Sequence, residues 1–102
     1  ITNRINFIMS YKYAIITNTG KDFFTYQNRL DFFLRGYPAN VWVIGNNEKG
    51  ALWLAETNGV EKTKAEAQAI VDAEITAAQT DYDALSDEDR RFLTRPAQVT
   101  LP

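Results

Sequence analysis

The chain has 102 residues, 45% of them hydrophobic, with a formal net charge of −2, so it is sized for one domain around one core and is too short for two. It contains neither cysteine nor histidine, which excludes disulfides, thiolate and imidazole metal ligands, cysteine nucleophiles and the one side chain that titrates unperturbed near neutrality. The charge balance offers no global attraction to phosphates or to an anionic membrane, and no apolar run approaches the roughly 20 residues of a membrane span, so a soluble, non-membrane protein is expected.

The chain starts at Ile1 and its only methionine is Met9. "ITNRINFI" therefore reads as a processing remnant, as translation from a non-ATG start, or as sequence ahead of a natural start at "MSYKYAII". It lacks the continuous apolar core of a secretory signal. Residues 1–9 are taken as an N-terminal tail, 10–95 as a single α+β domain and 96–102 as an extended C-terminal tail.

"YKYAIIT", residues 11–17, sets Tyr11, Tyr13 and Ile15 on one face of a strand and runs into the turn-rich "NTGK". "DFFTY", residues 22–26, is placed to return antiparallel and close a first hairpin. "QNRLDFFLRGY" suits either state, because Leu30, Phe33 and Leu34 fit helical spacing while Phe32 and Phe33 also fit a strand. A short helix ending at Gly36 is the reading taken, with Pro38 preventing its continuation.

"VWVIG" and "ALWLAE" flank "NNEKG", and the pattern predicts a second hairpin pairing Val41 to Gly45 with Ala51 to Glu56. Both runs are apolar on both faces, which predicts either central strands or a face lying in an interface. "TKAEAQAIVDAEITAAQTDYDAL", residues 63–85, predicts a long helix. Thr63 and Glu66 form a capping box, and Ala67, Ile70, Val71, Ile75 with Ala78, Tyr82 and Leu85 recur every three or four residues as a stripe against the sheet. Ser86 and Asp89 repeat the capping pattern for a shorter helix, "DEDRRFL", whose Phe92 and Leu93 are expected to fold back on the core. "RPAQVTLP" then reads as an extended tail that pairs on a sheet edge or reaches a neighbour. The whole is an α+β fold in the order β-β-(α)-β-β-α-α: an antiparallel sheet of about four strands covered on one face by the long helix.

Few residues invite chemistry. Asp81, Asp83, Asp87, Glu88 and Asp89 lack the alternation and central glycine of an EF-hand loop, and carboxylates around a helix start are explained by the helix dipole. Asp22, Asp31, Glu48 and Glu56 are too scattered for a paired-carboxylate mechanism. Ser10 and Ser86 have no histidine to activate them, and the five glycines form no phosphate-binding loop. Arg90, Arg91 and Arg95 beside Tyr11, Tyr13, Phe23, Phe24 and Tyr26 could build a stacking surface for single strands, but arginines pairing with neighbouring acids and aromatics filling the core is the preferred reading. Trp42 and Trp53 fit core and interface equally. No catalytic, cofactor-binding or metal residue is assigned; the interface candidates are Trp42, Trp53, Val99 and Leu101.

At "MSYKYAIITN", "TKAEAQAIVDAEITAAQTDYDAL" and "RPAQVTLP" the chain resembles small virion structural proteins (tail, fibre or capsid accessory) of tailed bacteriophages, particularly those infecting cyanobacteria. The resemblance covers residues 9–17 and 63–102 best. It implies a non-enzymatic protein, located in the virion after assembly in the host cytoplasm. Such a protein binds copies of itself or other virion subunits, with no cofactor, membrane, nucleic acid or small-molecule substrate. The alternative is a small acidic regulator that binds and inhibits a host protein through the outer face of the long helix, where Glu66, Asp72, Glu74, Asp81 and Asp83 are expected in water.

Overall fold

The computed structural model describes residues 11–17 and 33–102. In chain order these form β1 (Tyr11–Ile15), β2 (Leu34–Tyr37), a 3₁₀ turn (Pro38–Asn40), β3 (Val41–Gly45), α1 (Glu48–Glu56), β4 (Val60–Lys62), α2 (Lys64–Asp83) and α3 (Asp87–Arg90). The four strands make one antiparallel sheet in the order β2-β3-β1-β4. This is the expected α+β architecture, with the long helix on one face.

β3 is apolar on both faces because it is central and both faces are covered. Val41 and Val43 join Tyr13 of β1 and Ala67, Val71 and Ile75 of α2 in one core. Ile44 points the other way and joins Ala14, Ile16 and Trp53 of α1 in a second, with Trp42 packed against it. The period-2 alternation of a strand thus serves two cores at once. Full burial of each such aliphatic side chain contributes about 1.5–3 kcal/mol.

Three elements differ from the sequence expectation. Residues 34–37, expected at the end of a helix, are a strand; residues 27–32 lie outside the described ones. Gly36 pairs across the strands with Trp42, and a Cβ there would sit 2.8 Å from the indole Cη2, so this glycine makes room for a ring rather than closing a helix. The turn to β3 holds Ala39 and Asn40 at φ of 64° and 60°, a left-handed conformation that costs a non-glycine residue such as alanine about 1–2 kcal/mol.

The second hairpin is also corrected: Ala51 to Glu56 belong to helix α1. Asn47 caps it by accepting from the Gly50 N–H at 2.9 Å. Gly50, read as part of a hairpin loop, lies in the first turn, where a Cβ would collide with the Gly45 carbonyl oxygen. Gly50 and Trp53, three apart, form the buried face of α1. The strand that follows is β4, which the sequence reading did not foresee. It pairs with β1 at Tyr13 to Ile15, while β3 takes the other edge of β1. The expected partner of β1, residues 22–26, lies outside the described residues.

The long helix and its capping box are as expected. The Thr63 hydroxyl accepts from the Glu66 N–H at 3.1 Å and the Glu66 carboxylate accepts from the Thr63 N–H at 2.9 Å. The bond donated by the Thr63 N–H, followed by the Thr63 side chain's own interaction with the carboxylate, holds the Glu66 carboxyl below its usual range. Twenty residues make α2 about 30 Å long at 1.5 Å per residue. Its buried residues, Ala67, Val71 and Ile75, all fall in its first 12 residues, so the sheet supports that half alone.

Candidate functional site

Beyond Ile75 the apolar stripe of α2 continues through Ala78, Tyr82 and Leu85, all half-buried. Their cover comes from the chain's own C-terminal part. The Ser86 hydroxyl caps α3 by accepting from the Asp89 N–H, and after this single turn the backbone reverses and returns alongside α2. Ala78, Tyr82 and Leu85 then form, with Leu93, Thr94, Pro96 and Asp81, an open apolar groove of about 280 Å³.

Two apolar side chains stand at this end of the molecule. Phe92 is 82% exposed and Leu93 is 55% exposed. Both were expected to fold onto the core; instead Phe92 faces solvent and Leu93 forms a wall of the groove. Charges surround them. Arg90 pairs with Asp87, and the Arg91 guanidinium lies 6.0 Å from the Phe92 ring centre. Arg95 grips Asp83 with Nε and Nη2, each 3.1 Å from a carboxylate oxygen. This two-pronged bond holds the Asp83 carboxyl below its usual range. Phe92 and Leu93 thus form an apolar centre inside a charged rim.

The tail from Arg95 is extended, as expected, but it neither joins a sheet edge nor leaves the chain. It runs antiparallel to α2 and is held by side chains on one face of that helix. Gln79 Nε2 donates to the Pro96 carbonyl and Gln68 Nε2 to the Val99 carbonyl, each at 2.8 Å. Gln68 Oε1 accepts from the Leu101 N–H at 2.8 Å, and Gln98 donates to Asp72. The Tyr13 hydroxyl donates to the Pro102 carbonyl, and burial pushes this phenol up, keeping it a donor. Leu101 is 2% exposed, inside the core beneath α2. From Gln68 to Asp83 the helix rises about 22 Å at 1.5 Å per residue. The six steps from Arg95 to Leu101 span about 20 Å when extended, so the tail matches the seat in length.

Of the four interface candidates, Leu101 fills the chain's own core and Val99 packs half-buried beside it. Trp53 is fully buried and Trp42 half-buried, their rings 6.1 Å apart edge to face. They meet as anticipated, but between a strand and a helix rather than across a hairpin. The acidic outer face of α2 is thinner than expected, because Asp83 is engaged by Arg95 and Asp72 by Gln68 and Gln98.

The sequence reading missed Phe92, Leu93 and the glutamines. "RRFLTR" carried a usable signal, since two apolar residues locked between arginines cannot easily turn inward. Gln68, Asp72, Gln79 and Asp83, spaced 4, 7 and 4, form a second stripe beside the apolar one, visible only once a partner for it is known.

Among the described residues no group of three or more carboxylates could hold a metal ion, and no helix is long and apolar enough to cross a membrane. Fold and site together define a small α+β protein with an exposed apolar patch at one end of its long helix. Comparison with protein-family models, with characterised proteins and with solved structures finds no match for this chain.

Proposed function

We propose that the chain is a non-enzymatic structural or accessory subunit of a tailed-phage particle, acting through protein–protein contacts. The observation that carries the contact reading is the patch made by Phe92, Leu93 and the adjoining groove. A side chain as large as Phe92 held 82% exposed gains nothing for the folded chain and stabilises whatever covers it. The charged rim of Arg90, Asp87 and Arg91 suits a partner that presents both signs. The particle assignment rests on the resemblance of residues 9–17 and 63–102 to small virion proteins.

The test is incorporation. In purified particles the chain should occur at a fixed number of copies by mass spectrometry, and Phe92→Asp should remove it without lowering its thermal midpoint. Particles free of the chain would overturn the particle assignment. Particles that take up Phe92→Asp normally would overturn the patch as the contact.

A further inference from the structure

We propose that the seat on α2 for the C-terminal tail is a peptide-binding site that takes the tail of a second copy of this chain, so that assembled subunits exchange residues 95–102. This rests on the contact reading above and names its partner.

Three observations carry it. The tail is bound as a separate peptide would be: among the described residues no backbone–backbone hydrogen bond joins it to the rest, and it is read instead by the carboxamides of Gln68 and Gln79, the Asp83 carboxylate and the pocket for Leu101. None of these contacts depends on which chain supplies the tail. The link that would open is slight, since α3 is a single turn of four residues with none buried. Finally, that link carries the most exposed large apolar side chain among the described residues, Phe92, with the half-exposed Leu93 beside it. Phe92 and Leu93 lie where the backbone reverses, so two opened copies crossing at this point bring both pairs together.

Closed and exchanged forms share every tail contact. The balance is therefore set by the entropy of association and the loss of the link's own contacts, Tyr82 hydroxyl to the Arg90 carbonyl, Arg90 to the Asp83 carbonyl and Leu93 on the groove, against the burial of Phe92 and Leu93. High local concentration, as in an array, favours exchange. The exchange is isologous: each copy gives its tail and receives one, and Leu101 of each completes the core of the other.

The chain's lack of cysteine makes the test direct. Gln98 donates to Asp72, so cysteines at these two positions lie within reach of a short bismaleimide cross-linker wherever the tail sits. Asp72→Cys and Gln98→Cys chains are mixed in denaturant, refolded together at high concentration and treated with that cross-linker, alongside the double variant D72C/Q98C. Exchange predicts a cross-linked species of twice the chain mass, holding one chain of each kind and dominating both homodimers, and Phe92→Asp on both chains should reduce it. If the double variant closes within one chain and the mixture yields no mixed dimer, the tail stays with its own chain and exchange is overturned. A double variant that takes no cross-link at all overturns exchange as well, since the tail then does not lie on Asp72. Either failure leaves particle incorporation through Phe92 and Leu93 untouched, so the two readings fail separately.

Discussion

The two halves of α2 have the same kind of sequence, alanines and acids around an apolar residue every three or four positions, yet they are held in different ways. The half from Lys64 to Ile75 lies on the sheet and buries Ala67, Val71 and Ile75. The half from Thr76 to Asp83 has no buried residue and is kept in place by Leu93, Pro96 and the Arg95–Asp83 pair. Periodicity tells which side of a helix is apolar, but it does not tell how far the supporting surface reaches. Here the sheet ends before the stripe does, and the remainder is available to the chain's own tail or to another chain.

The sharpest way to break this contrast is to truncate one residue of the apolar stripe on each side of the point where the sheet ends. Ile75→Ala should cost about 2–4 kcal/mol, whereas Leu85→Ala, on the half-supported end, should cost about 1 kcal/mol. Equal losses in urea unfolding would mean that both halves are core. Leu101→Ala probes the tail and should cost about 2–3 kcal/mol, as burial in a core demands; a loss near zero would mean that the tail is a loose appendage. Thr63→Ala removes the hydroxyl of the capping box and should cost about 1 kcal/mol, read as a lower thermal midpoint.

Acid separates the halves by chemistry, since Glu66 serves the sheet-bound end of α2 and Asp83 the free end. Both carboxyls are depressed in the folded chain, so their contributions are complete above the ordinary carboxylate range, about pH 4, and are lost as pH falls through the folded values. The thermal midpoint should fall over that window, and Glu66→Gln or Asp83→Asn should each flatten the fall. A midpoint that rises on acidification would contradict both assignments. The smallest effect belongs to Phe92→Ala, within about 0.5 kcal/mol of wild type in dilute solution, because the ring stands largely in water and its contact with the Arg91 guanidinium is solvent-exposed and weak.

Much of the frame was legible in the sequence because it is written in local chemistry. The capping box at Thr63 and Glu66, the cap at Ser86 and the strands around Tyr13 and Val43 follow from neighbours a few residues away. The misread elements share one cause. Gly36 and Gly50 look like helix-closing and turn glycines by local rules, but each serves a close approach to a distant group, the Trp42 ring in one case and the Gly45 carbonyl in the other. "ALWLAE" alternates well enough for a strand, and only the pocket between Ala14, Ile16 and Ile44 decides that Trp53 enters it from a helix.

The candidate site was less legible still. Leu101 and Val99 were noticed as apolar and the tail as extended, but their seat depends on glutamines that look like ordinary helix surface. Phe92 and Leu93 were assigned inward on hydrophobicity alone, which fails where no core lies within reach.

By itself the sequence determined the α+β class, the long helix with its caps and apolar face, and a central strand that is apolar on both sides, because propensity, capping and periodicity act over one or two turns. Only the tertiary structure decided that a second helix covers the far face of the sheet, that the C-terminal tail completes the core, and that Phe92 stands in water. Those outcomes depend on where surfaces end in space, and no local pattern encodes that.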